Sequence, residues 1–305
     1  MVTVTLNPAL DVSTSVDVVT PEHKLRCSPA VREPGGGGVN VARVATRLGI
    51  DARAVVVVGG PTGQQVVALA RKEGIAIRAI ENDGETRQSL TVHEESTNRL
   101  YRFVLPGPPI HQETITELSE LLEKERPLGC MVISGSIPPS ASPGTITSLL
   151  AAMPNTDVII DTSGPALIEA LASSATLVKP SARELGTVVE RDLLTEADVL
   201  AAARDVVTTS SVRGILVSIG AGGAFLVTSS EPPVRFRAPT VRVRSTVGAG
   251  DSLVAGVGVG LCRGMQLVDA AALGVAAGTA AVMTPGSELA QPAMIEQLLR
   301  LVTVE

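Results

Sequence analysis

The chain has 305 residues, 45% of them hydrophobic, and a formal net charge of −6 from 25 basic and 31 acidic side chains. That is too apolar for global disorder, and without a Lys/Arg run there is no phosphate-tracking stripe for nucleic acid. One Tyr, three Phe and no Trp leave few stacking platforms for single strands and require a core of Val, Leu, Ile and Ala.

The chain opens on a strand-like segment, residues 1–8, that lacks the basic region of a secretory leader. Continuous apolar runs follow at residues 55–58, 130–133, 158–160, 176–178 and 215–217. Runs of this kind read as strands buried on both faces, as in a parallel sheet covered by helices. Helical patterns alternate with them: 39–48 closed by Gly49, 63–73 closed by Gly74, and a start signal at Thr195 with Asp198 three residues on. The repeat predicts a doubly wound α/β sheet. Residues 12–33 and 87–105 break the pattern: they are Val/Thr/Ser-rich, and Tyr101, Phe103 and Leu105 recur with period two. They predict a small antiparallel sheet outside the main one, serving as a lid or as a lid that also pairs with another subunit. The longest uncharged run, 270–287, is mostly Ala and Gly with a Pro near its end, which fits a packed core helix better than a membrane span. Cys27, Cys130 and Cys262 form no CxxC, and His23, His93 and His111 do not fall at metal-ligand spacing. A cytoplasmic protein is expected, built as one main domain over residues 1–305 with a discontinuous lid, and without a membrane or nucleic-acid partner.

Each buried run ends in chemistry: 55–58 in Gly59 and Gly60, 130–133 in Ser134, Gly135 and Ser136, 158–160 in Asp161, 176–178 in Lys179, and 215–217 in Ser218, Ile219 and Gly220. In an open parallel sheet, ligands bind beyond the carboxyl ends of the strands. Two glycine clusters add to this rim. Gly35, Gly36, Gly37 and Gly38 run into a helix carrying Asn40, whose amide can both donate to and accept from a sugar hydroxyl pair. Gly248, Ala249 and Gly250 precede Asp251 at the start of a second helix. Successive N–H groups at a helix start bind phosphate oxygens, and a carboxylate there can take a proton from an attacking hydroxyl. The bland alternatives are a flexible turn for the first cluster and a capping role for Asp251 in the second. There is no Gly-Lys dipeptide, hence no Walker loop, no GxGxxG after a strand and no GxSxG elbow.

Residues 35–43 together with 247–251 resemble the two signatures of the ribokinase-like (PfkB) carbohydrate kinases. The likeness extends over essentially the whole chain. Residues 21–27, Thr86-Arg87-Gln88 and 101–107 look most like the minor bacterial 6-phosphofructokinase branch of that family. The resemblance implies a three-layer α/β/α sandwich with a β-sheet lid, dimerisation through that lid, and ATP- and Mg2+-dependent phosphorylation of a sugar hydroxyl. By resemblance, Asp251 is the base, and Gly248, Ala249 and Gly250 form the anion hole. Asp11, Gly36, Gly37 and Asn40 hold sugar hydroxyls, while Arg87 holds the phosphate already on the sugar, with Ser136, Lys24 and Arg26. A permanently charged guanidinium suits that dianion. Lys179, Ser181, Ser218, Gly220 and Gly223 line the nucleotide, with Val275 and Thr279 near the adenine.

One departure stands out. The family has Asn-x-x-Glu after the Lys-Pro pair, and this chain has Ser181 before Glu184, the residue implied to organise magnesium. A K+ site would map to Ser245, Val247, Ala281, Thr284 and Gly286. The leading expectation is a 6-phosphofructokinase. The alternatives are a 1-phosphofructokinase, a tagatose-6-phosphate kinase, or a non-catalytic sugar-phosphate sensor.

Overall fold

Successive side chains on a strand point to opposite faces, so a strand covered on both sides must be apolar at every position. The computed structural model, which describes residues 1–125, 129–138, 140–286 and 288–305, shows this directly. Val56, Val58, Cys130, Val132, Ile159 and Leu216 feed one core. Their neighbours Val55, Val57, Met131, Ile133, Ile160 and Ile215 feed another on the far side of the sheet.

The chain begins with β1 (Val2–Thr5), β2 (Ala9–Val16), β3 (Val31–Gly35), α1 (Gly37–Arg47), β4 (Arg53–Val58) and α2 (Gly60–Lys72). It continues through β5 (Ala76–Glu81), β6 (Arg87–Glu94), β7 (Arg99–Val104), α3 (Gln112–Lys124), β8 (Cys130–Ser134) and α4 (Thr145–Ala151). Next come β9 (Asp157–Asp161), α5 (Pro165–Ala172), β10 (Leu177–Val178), α6 (Ala182–Val188), α7 (Glu196–Thr209) and β11 (Gly214–Ser218). The last part holds β12 (Gly223–Thr228), β13 (Val234–Arg237), α8 (Ala249–Cys262), α9 (Leu267–Val282), α10 (Pro292–Leu299) and β14 (Thr303–Val304).

Among the described residues, ten strands form one sheet in the order β14-β13-β12-β11-β10-β9-β8-β1-β4-β5. It is parallel from β5 through β11 and antiparallel beyond. Helices α1, α8, α9 and α10 cover one face and α3, α4, α5 and α7 the other. This is the three-layer α/β/α sandwich of the ribokinase-like fold. The 270–287 run proves to be α9 and its exit, except Ser287, which lies outside the described residues. No described helix is long and apolar enough to cross a membrane. The glycines of α8 and α9 form a packing seam: a Cβ on Gly256 would lie 2.7 Å from Gly274 Cα. That close approach fixes the axis of α8 and so the place of its first turn.

The smaller sheet, ordered β3-β2-β6-β7, corrects two expectations. It is mixed rather than antiparallel, because β2 and β6 run parallel from Ala9 opposite Arg87 to Val16 opposite Glu94. Its strands also reach further toward the main sheet, β2 back to Ala9 and β3 on to Gly35, while residues 17–30 contribute no strand. Alternation in the sequence reveals strands, but partner direction depends on the crossover between them, and that leaves no local signal.

Candidate active site

Asp251 lies in the first turn of α8, and the helix N-cap is Gly248, in the left-handed conformation at φ 72°. The carboxylate therefore does not cap its own helix. It accepts instead from Asn40 Nδ2 at 2.8 Å. Asn40 is on α1, directly after the glycine cluster, so the two glycine motifs meet through their polar residues. Burial pushes the Asp251 carboxyl up to about 6, Asp161 adds to this, and the Asn40 amide and Lys179 oppose it.

Lys179 follows β10 and is 5% exposed, with Nζ 3.1 Å from Asp161 Oδ1 at the end of β9. Burial alone would lower its ammonium, but Asp161, with Glu184 and Asp251, holds it above its ordinary value. Asp161 is itself raised, burial outweighing Lys179. A Cβ on Gly250 would sit 3.8 Å from Lys179 Nζ, so the start of α8 faces a buried ammonium. A helix N-terminus, exposed backbone N–H groups and a fixed cation together make a cradle for an anionic group. Ala249 is the first residue of the helix, between the two glycines.

The glycines of the first cluster serve close approach to protein groups. A Cβ on Gly37 would overlap Ser134 Oγ, and one on Gly35 would overlap the Asp11 carboxylate. Gly36, at φ 121°, turns the chain from β3 into α1. The cluster thus holds Asp11, on β2, against the carboxyl ends of β1 and β8. Burial raises the Asp11 carboxyl, with Glu33 adding to it, while Arg102, Arg87 and Arg43 pull it down. Arg102 is a cation that motif reading missed; its position on β7, opposite Thr91, puts it on the same face of the small sheet as Asp11.

Arg87 is half-buried, and its Nε and Nη2 donate to the Asn7 carbonyl at 3.2 and 3.1 Å. Asn7 Nδ2 donates to Ser136 Oγ at 3.0 Å, which joins Ser136 to the same group. Lys24 and Arg26 are exposed on the 17–30 segment.

On the other side of Lys179, Ser181 caps α6 in a reciprocal box with Glu184: Ser181 N donates to Glu184 Oε2 at 2.7 Å and Glu184 N donates to Ser181 Oγ at 3.2 Å. Ser181 bridges to Ser218, and Gly220, at φ 60°, begins the turn into β12. Gly223 is required by packing, since a Cβ there would overlap the Phe236 carbonyl. Val275 and Thr279 are buried on α9, and the Thr279 hydroxyl donates to the Val275 carbonyl at 2.8 Å. Ser245 and the end of α9 are neighbours, with Ser245 N donating to the Val282 carbonyl at 3.3 Å. This brings the segment of Ser245 and Val247 beside that of Ala281, Thr284 and Gly286. The Thr284 hydroxyl already donates to the Ala281 carbonyl at 2.8 Å.

A buried carboxylate beside an anion cradle, with a guanidinium-lined group next to it, suits proton removal from a hydroxyl during transfer to it of an anionic group. Known proteins agree. Residues 5–294 match the profile of the pfkB family carbohydrate kinases. The ATP-dependent 6-phosphofructokinase isozyme 2 of Escherichia coli K12 is 39% identical over 290 residues, 94% of each chain. The 1-phosphofructokinase of Bacillus subtilis 168 is 30% identical over 299 residues, 97% of this chain and 96% of its own. The crystal structure of E. coli phosphofructokinase-2 in complex with fructose-6-phosphate superposes with a TM-score of 0.90 at 36% identity, covering 99% of this chain and 98% of that one. The tetrameric inhibited form of that enzyme gives 0.91 at 37%, covering 98% of each. The chain belongs to the pfkB family of carbohydrate kinases.

Proposed function

We propose that the chain transfers the γ-phosphoryl group of ATP to the free primary hydroxyl of fructose 6-phosphate, giving fructose 1,6-bisphosphate and ADP. The observation that carries this reading is the Asn40–Asp251 pair at the start of α8, beside Lys179. Asp251 takes the hydroxyl proton as the sugar oxygen bonds to the γ-phosphorus. The bond from that phosphorus to the β–γ bridging oxygen breaks, and ADP leaves with the electron pair. Gly248, Ala249 and Gly250 offer their N–H groups to the transferring phosphoryl oxygens, and Lys179 offsets their charge. Asp11, Gly36, Gly37 and Asn40 orient the sugar, and Arg87, with Ser136, holds its phosphate.

Nucleotide would lie along Ser181, Ser218, Gly220 and Gly223, toward Val275 and Thr279. Magnesium fits as a hard cation held through water by Glu184, one of whose oxygens is committed to Ser181, and it would neutralise phosphate oxygens. Potassium would take backbone carbonyls of the 245–247 and 281–286 segments. The small sheet acts as a lid over the sugar within a single kinase domain. Its exposed Val31, Leu100 and Val104, all on the face that carries Arg102, form a surface on which two copies would pair. The lower identity of the 1-phosphofructokinase relative supports placing fructose 1-phosphate second.

The test is ADP release with ATP and magnesium against fructose 6-phosphate, fructose 1-phosphate, tagatose 6-phosphate and free fructose. Fructose 6-phosphate should lead in kcat/KM by tenfold or more. Equal or faster turnover of another sugar phosphate would reassign the substrate, and binding without turnover would favour a sensor.

A further inference from the structure

Arg43 lies one turn after Asn40 on α1 and is 6% exposed, an unusual setting for a group that cannot lose its charge. Its Nη1 donates to Asn40 Oδ1 at 3.4 Å. Nη2 is 3.4 Å from Glu33 Oε1 on β3, and Nε is 2.7 Å from Glu73 Oε2 at the end of α2. One side chain thus ties the small sheet, the end of α2 and the amide that touches Asp251.

A carboxamide has two chemically opposite ends. Turned over, Asn40 would place its oxygen against the Asp251 carboxylate, two acceptors face to face. A guanidinium carries donors only, so with Arg43 on one side the oxygen must face it and the NH2 must face Asp251. We propose that Arg43 is a positioning residue for the base: it selects the orientation of the Asn40 amide and, through Glu33, links that orientation to the seating of the small sheet. This rests on the phosphoryl-transfer reading above. Arg43 touches no reacting atom in that scheme, and its influence on the base passes through Asn40.

A double-mutant cycle tests it, with ADP release on fructose 6-phosphate as the readout. Arg43→Lys keeps the charge and loses the fork, and should lower kcat about tenfold, the scale on which residues orienting a functional side chain act. The KM for ATP should stay within about twofold, since the nucleotide site is not involved. In the Asn40→Ala background the same substitution should have no further effect on kcat, because the group it orients is gone. Glu73→Gln, at the rim, repeats the cycle with a variant that leaves the buried guanidinium in place, and should lower kcat severalfold with the same loss of effect in Asn40→Ala. Additive losses, or a kcat for both variants within twofold of wild type, would overturn the proposal while leaving the kinase reading intact. A wild-type chain without turnover on any phosphorylated ketohexose would overturn both.

Discussion

Asn40 Nδ2 donates to Asp251 Oδ2 across 2.8 Å and 211 residues of sequence. The bond joins the first turn of α1 to the first turn of α8, so the two glycine clusters are two walls of one site. It also holds the Asp251 carboxylate in place while burial and Asp161 favour its protonated form.

Activity should therefore depend on pH through Asp251. With its carboxyl near 6, the base is ionised above that pH and protonated below it. The kcat/KM for the sugar should be flat from about pH 7 upward and fall tenfold per unit below about pH 6. A profile flat down to pH 5 would remove Asp251 as the base.

The same group should cost stability where it works best. Its folded value near 6 lies above the ordinary 3.8, so the folded chain binds the proton more tightly than the unfolded one. The cost is absent below about pH 4, grows between about 4 and 6, and is constant above. Asp251→Asn should raise stability at pH 8 by about 1–3 kcal/mol, and by much less at pH 4.5. Equal gains at both pH values, or none, would contradict this.

Lys179 and Asp161 should behave as a buried pair. Removing one partner leaves a charge without compensation and costs about 3–5 kcal/mol, whereas an apolar pair of similar volume can restore stability. Lys179→Ala should lower the urea midpoint strongly. Lys179→Met with Asp161→Leu should recover most of the loss but no turnover. A stable single variant would show that the pair does not hold the fold, and an active double one that it does not serve turnover.

The glycines at the head of α8 should separate by experiment. Gly248 is left-handed at φ 72° and a Cβ there would overlap Leu289 Cδ2, so Gly248→Ala should cost about 2 kcal/mol or more. At Gly250 the nearest atom to a Cβ is Lys179 Nζ at 3.8 Å, an ordinary contact. Gly250→Ala should leave the thermal midpoint nearly unchanged and cut kcat instead, by filling the cradle. If both variants lose only stability, the cradle is a packing device.

Much of this was legible in the residues. The continuous apolar runs gave the main sheet because two-sided burial demands them, and Thr195 and Asp198 form the capping box their spacing suggests. Asp251 and Asn40 stood out because glycine clusters precede helix starts. What the sequence hid was long-range: the parallel pairing of β2 with β6, the Lys179–Asp161 pair, the grip of Asn7 on Arg87 and Ser136, and the approach of Arg102 and Arg43 to the site. Each depends on which strand ends become neighbours. Lys24 and Arg26, which a motif assigns to the sugar phosphate, stand on an exposed segment without strand structure.

One face of the small sheet carries Leu100 and Val104 at 54% and 59% exposure. If two copies pair there, Val104→Asp should convert a dimer or higher assembly to monomer in light scattering. An unchanged mass would place the contact elsewhere.

The most direct measurement is the rate of ADP formation by Asp251→Ala with fructose 6-phosphate and ATP, alongside the affinity for fructose 6-phosphate by calorimetry. Turnover should fall about 10²–10⁴-fold, with sugar-phosphate affinity within about threefold of wild type. A near-normal rate, or affinity and rate lost together in a folded protein, would contradict the assignment of Asp251 as the base that takes the proton.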